Sequence, residues 1–183
     1  MKKWIIPIGI VIVIGVVLMS GYNSLVTVNE EVNGKWSQVE NQLQRRADLI
    51  PNLVETVKGY AAQETEVFTA LANARAALAG AGTVSETEEA NQELTSALGR
   101  LIAIAEAYPE LKSNTNFLAL QDELAGTENR IATARMDYNE AVQSFNTKVK
   151  SLPTALYAGL LGFDEREYFE AEDGAEDGVD VKF

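Results

Sequence analysis

Residues Trp36 to Tyr60 read WSQVENQLQRRADLIPNLVETVKGY, and the fold is decided by how they are read. Trp36, Val39, Leu43, Ile50, Leu53, Val57 and Tyr60 recur three and four residues apart, with only Arg46 interrupting. That spacing is one apolar stripe of an α-helix, in the two-in-seven pattern of a coiled-coil seam. The phase runs upstream through Val32, Asn29, Leu25 and Tyr22 and downstream through Glu64, Val67, Leu71, Ala74 and Leu78. One long helix over 22–79 is therefore expected. Pro51 removes a backbone bond and crowds the preceding turn, so a kink near Ala47 is predicted, without a reversal of the chain. Gly80-Ala81-Gly82 should end the helix, with Gly80 as a left-handed cap.

A second helix is expected from Ser85, which has capping-box spacing to Glu88. Its apolar face is Ala90, Leu94, Ala97 or Leu98, Leu101, Ile104 and Tyr108, and Pro109 closes it. Tyr108 must leave the α region because a proline follows. A third helix is expected from Ser113 or Asn114 to about Leu152, with a seam of Phe117, Leu120, Leu124, Ile131, Ala134, Tyr138, Ala141, Phe145 and Leu152. Pro153 stops it, and the apolar piece TALYAGLLGF follows. The predicted fold is all-α: an N-terminal transmembrane helix, then an antiparallel up-down bundle of three long helices plus a short C-terminal helix.

The N-terminal stretch is an anchor by composition. After Lys2 and Lys3 no charged residue occurs until Glu30, and Trp4 to Met19 reads WIIPIGIVIVIGVVLM. With Ser20 to Val28 added, the uncharged run is long enough for the roughly 20 residues that a bilayer-spanning helix needs. A cleaved signal peptide is the rival reading, but the apolar middle is long and no Ala-x-Ala site is present. A lipid anchor would need a cysteine near Gly21, and the chain has none. Lys2 and Lys3 against Glu30 and Glu31 favour a cytoplasmic N-terminus and a body outside the cytoplasm. Only about three residues precede the span, so a cytoplasmic output domain is not expected. The division is then 1–29 as membrane anchor, with residues 4–28 in the bilayer, 30–163 as helical bundle and 164–183 as an acidic tail. The tail carries nine acidic residues against Arg166 and Lys182 and reads as solvated.

Composition removes most chemistries. The 183 residues contain no cysteine and no histidine, which excludes disulfides, thiolate sites, and the commonest general base and metal ligand. The net charge of −12 opposes nucleic-acid binding. EDGAEDG lacks the spacing of a calcium loop. No phosphate loop or nucleophile elbow occurs. Hence no catalytic, cofactor-binding or metal residue is expected, nor any cofactor, nor an enzyme. The unexplained residues are polar ones in helical faces. Asn41, Arg45, Asp48, Asn52 and Glu55 form a stripe on the first helix; Glu128, Arg135, Asn139 and Asn146 form one on the third. Arg46 and Glu64 fall inside the seam. Three readings stay open: solvated flanks, buried pairs that set helix register, and a ligand groove.

The strings YNSLV from Tyr22, VNGKWSQVENQLQRRADLIPNLVETVKGYAAQE from Val32, NARAAL from Asn73 and EAYPELKSNTNFLALQDELAGTENRIATARMDYNEAVQSFN from Glu106 resemble the LemA family of membrane-anchored helical proteins. GFDEREYFE and the closing VDVKF fit as well. The resemblance implies an N-terminal membrane segment followed by a helical bundle, with no established enzymatic activity. Some relatives carry a lipoprotein cysteine just before the YNSL motif; Gly21 stands there, so lipidation is not implied. Two function classes follow. One is a non-enzymatic interaction or scaffold protein at the cell envelope, binding an envelope membrane protein or itself. The other is a membrane-coupled sensor or signalling module that works through a membrane partner.

Overall fold

The computed structural model describes residues 5–170. The acidic run 171–183, including EDGAEDG, and Lys2 and Lys3 lie outside the described residues. The fold is all-α. Helix α1 spans Ile5–Lys58, α2 Thr65–Gly80, α3 Val84–Glu106, α4 Pro109–Lys112 and α5 Thr115–Lys150. Two single-turn 3-10 helices follow at Thr154–Leu156 and Gly159–Leu161, in place of the expected short C-terminal helix. The chain divides into two compact bodies, to which α1 and α5 each contribute. One comprises residues up to 38 with 136–167; the other comprises 39–135 with the chain from 168.

In the second body the seam reads as expected through Val57. Val39, Leu43, Ile50, Leu53 and Val57 are all buried. The expected single helix over 22–79 is corrected: the chain turns at Gly59–Glu64 and comes back as α2. Arg75 Nε donates to the Ala47 carbonyl at 3.1 Å, which places α2 antiparallel to α1. The apolar phase survived the turn because both helices face one core; periodicity records which side is buried and not which way the chain runs. Pro51 is held inside α1, on an exposed position, and does not end it. Glu64, placed in the seam by its spacing, sits instead before the first turn of α2.

Capping also differs from expectation. The α3 capping box is Thr83 with Glu86, two residues before the predicted pair Ser85 and Glu88. Glu86 N donates to Thr83 Oγ1 at 3.1 Å, and Glu86 Oε2 accepts from Thr83 N at 3.1 Å and Gly82 N at 2.8 Å. The bonds from Gly82 N and Thr83 N hold the Glu86 carboxyl below the usual range, because they favour the anion. Gly80 is the last residue of α2, and Gly162 is the glycine with positive φ (80°) among the described residues. Pro109 opens α4 instead of only closing α3, and Tyr108 is extended, as a residue before proline must be. Asn114 caps α5 by accepting from Asn116 N and Phe117 N.

Tyr60 Oη accepts from Asn114 Nδ2 at 3.0 Å, so α5 runs antiparallel to α1. Gln63 Nε2 donates to Tyr108 Oη at 2.5 Å and Arg46 Nη1 to Asn91 Oδ1 at 2.9 Å, so α3 runs parallel to α1. The body is thus an up-down bundle of four passes, α1, α2, α3 and α5. Its core joins Ile50, Leu53, Leu71, Leu94, Leu101 and Phe117, among others. Burying each such side chain contributes roughly 1.5–3 kcal/mol.

In the first body α1 and α5 are again antiparallel. Lys35 Nζ bridges Asp137 Oδ2 at 2.8 Å and Lys148 Nζ bonds Ser24 Oγ. Leu25, Val32, Tyr138, Val142 and Phe145 are buried between them. Leu152, expected at the end of the α5 seam, is 76% exposed. Upstream, Ile8 to Met19 are apolar and largely exposed, and α1 contains near its N-terminal end a stretch long and apolar enough to cross a membrane.

Candidate functional site

The polar residues within the second body sort into three clusters and a cleft. Arg46, from the middle of the α1 seam, is 5% exposed. Its Nη1 lies 2.9 Å from Glu128 Oε2 of α5 and donates to Asn91 Oδ1 of α3 at 2.9 Å. Asn91 is buried as well. One guanidinium nitrogen therefore joins α1 to both α3 and α5. Beside it, Glu123 Oε1 accepts from Arg45 Nη2 at 2.6 Å, Arg45 Nε at 3.0 Å and Arg130 Nη2 at 3.0 Å. The Arg45 guanidinium, with help from Arg130, holds the Glu123 carboxyl below the usual carboxylate range.

Arg135 does not join Glu128. Its guanidinium lies 4.3 Å from the Phe169 ring centroid and donates to the Glu170 carbonyl, while Glu170 N donates to Glu88 Oε2 at 3.2 Å. Of the residues singled out by spacing, Arg46 and Glu128 are thus brought together and Arg135 serves a different contact. The stripe Asn41, Arg45, Asp48, Asn52 and Glu55 is exposed along its length. A cleft of about 310 Å³ opens between α1 and α2, where Glu40, Gln44, Arg75 and Thr87 line walls of leucine and alanine. No group of three or more acidic side chains able to hold a metal occurs among the described residues.

Within the first body, the segment after α5 is tied down by its backbone. Asn146 Nδ2 donates to the Arg166 carbonyl at 2.9 Å, and Arg166 N donates back to Asn146 Oδ1 at 2.8 Å. Tyr138 Oη donates to the Glu167 carbonyl at 2.9 Å. Arg166 Nη2 reaches Asn29 Oδ1 at 3.0 Å and Asn33 Oδ1 at 3.2 Å. Residues 164–167 stay exposed to solvent, and these hydrogen bonds tie them to α1 and α5. An amide paired to both backbone groups of one residue holds an extended chain as a strand neighbour would. Burial pushes the Tyr138 hydroxyl up, and the Asp137 carboxylate raises Lys35.

Residues 35–183 match the LemA family. The chain belongs to the LemA family. Two magnetosome proteins, MamQ 1 and MamQ 2 of Paramagnetospirillum magneticum, are each 30% identical over 179 residues, covering 84% of this chain. The chain spans 66% of the length of each. Protein LemA of Metamycoplasma hominis is 25% identical over 153 residues, covering 82% of this chain and 69% of its own. Neither the family description nor these names carries an enzymatic activity.

The strings that carry the LemA likeness coincide with these contacts. ENRIATAR supplies Glu128, Arg130 and Arg135; MDYNEAVQSFN supplies Tyr138 and Asn146; GFDEREYFE supplies Arg166, Glu167 and Phe169. The docking partners of 164–170 were missed from sequence. The available signals were a polar Asn29 in the phase of a buried stripe, and Asn146 beside the seam of α5.

Proposed function

We propose that this LemA-family chain is a membrane-anchored, non-enzymatic helical-bundle protein that works as an interaction or scaffold module at the cell envelope. Residues 1–29 would form the anchor, with the body from residue 30 onward outside the cytoplasm. The observation that carries the reading is α1 itself. Its exposed apolar run, Ile8 to Met19, passes without interruption into a helix whose next turns are buried against α5. A soluble protein would leave that run wet, at a cost that a bilayer removes. The ion-paired residues of the body have structural partners, which supports a binding surface over a reaction centre.

The test uses the full chain in native membranes. It should resist extraction by alkaline carbonate and be released by detergent; release by carbonate would refute the anchor. A protein cross-linked to the tagged body should be retained when residues 7–21 are replaced by an unrelated spanning sequence. The unbroken course of α1 past Pro51 supports a second reading, a sensor acting through a membrane partner. That reading requires the native span, so loss of the partner on its replacement would favour it over the scaffold.

A further inference from the structure

We infer that the apolar turn at 152–163 is a second membrane contact, seating its leucines in the bilayer interface beside the place where α1 leaves the lipid. The inference rests on the anchor proposed above and adds a surface to it. From Ser151 to Phe163 the chain has no charged residue. Leu152 is 76% exposed, Leu156 73%, Leu160 88% and Leu161 48%. Other large aliphatic residues exposed beyond the α1 run, Ile102, Leu118 and Met136, are scattered singly, which is ordinary for a protein surface. Four leucines within ten residues are not ordinary, and such patches mark an interaction.

The position of the turn identifies what covers it. Antiparallel packing brings the end of α5 back toward the apolar part of α1, with Lys148 on Ser24. The Tyr157 hydroxyl then lies directly on Gly21, where any Cβ would collide with it. The Tyr22 and Phe163 rings meet edge to face at 5.9 Å. Tyr157 and Leu161 share an apolar cleft of about 480 Å³ with Leu18, Met19 and Tyr22 of α1. Leu18 and Met19 end the exposed apolar run, so lipid that covers them reaches the cleft and the leucines beside it. Tyr22, 44% exposed, stands at this boundary, where amphipathic rings are favoured. A net charge of −12 gives no general attraction to anionic headgroups. The contact is therefore apolar, like that of an interfacial segment sunk roughly 5–10 Å into the headgroup region.

The native chain has no cysteine, so Leu156→Cys, Leu160→Cys, Ile12→Cys and Met136→Cys each give a single site for a nitroxide. The full chain is placed in phosphatidylcholine vesicles, and collisions of the label with oxygen and with a neutral nickel chelate are compared. Labels at Leu156 and Leu160 should favour oxygen several-fold over the Met136 label, in the direction of the Ile12 label, and keep that ratio in high salt. Nickel accessibility at Leu160 equal to that at Met136, with Ile12 still lipid-like, would overturn the inference and leave the anchor intact. An aqueous Ile12 label would instead bring down the anchor and this contact with it. A Leu160 label shielded from both reagents would mean protein covers the turn, and would also overturn it.

Discussion

The Arg46–Glu128–Asn91 cluster makes a quantitative claim about how much one arginine holds together. The arginine side chain is 6% exposed and the glutamate 48%, so the pair is buried at one end and wet at the other. Breaking a fully buried pair costs about 3–5 kcal/mol, and an exposed pair is worth about 0–1 kcal/mol. Glu128→Leu should fall between, at about 2 kcal/mol, because water can enter from the side the carboxylate vacates. Arg46→Met keeps the packed stem but strands Asn91 Oδ1, at about 1–3 kcal/mol. The double variant removes both charges, so a coupling of about 1–2 kcal/mol is expected. Arg135→Met is the internal control. Arg135 lies seven residues from Glu128 along α5, about 10 Å away, and contacts Phe169 instead. Its combination with Glu128→Leu should be additive within about 0.5 kcal/mol. Urea unfolding of the full chain in detergent, followed by far-ultraviolet circular dichroism, measures all of these. A coupling below about 0.5 kcal/mol for Arg46 with Glu128, or an equal coupling for Arg135, would refute the assignment.

Three further outcomes are expected. Leu53→Asp buries a charge at a fully buried position of the main core and should cost more than about 4 kcal/mol, abolishing the cooperative melt. Asn146→Ala removes both bonds to the Arg166 backbone and should cost about 2 kcal/mol, with faster amide exchange at Arg166 as the specific sign. Stability should fall at both pH extremes: Glu86 and Glu123 are depressed below 4.5 in the folded state, so their contribution is full above that value and lost as pH drops through their folded values. Lys35 and Tyr138 are raised above 10.5 and 10.0, so theirs is full below those values and lost as pH climbs; Glu123→Gln should flatten only the acid limb of a denaturation-versus-pH curve.

The sequence by itself determined the helical class, the N-terminal apolar run and the buried faces, since each is carried by residues within a few turns of one another. Val39, Leu43, Ile50, Leu53 and Val57 are buried as their spacing requires, and Asn114, one of the two residues at which the third helix is expected to start, caps α5. Local signals also misled where two readings satisfied the same pattern. The apolar phase continues from Val57 to Leu71 whether the chain goes straight or reverses, because both arrangements face one core. The Arg75 contact to the Ala47 carbonyl distinguishes them. Likewise, spacing put Arg46 in the seam, but which of Asn91, Glu128 or water would satisfy it is settled by distances between helices far apart in sequence. The acidic composition after Phe163 concealed the hydrogen bonds of 164–167, since three of them use backbone N–H or C=O groups, identical in every sequence. Tertiary structure decided what depends on pairing distant groups; the side-chain pattern decided only which groups needed a partner.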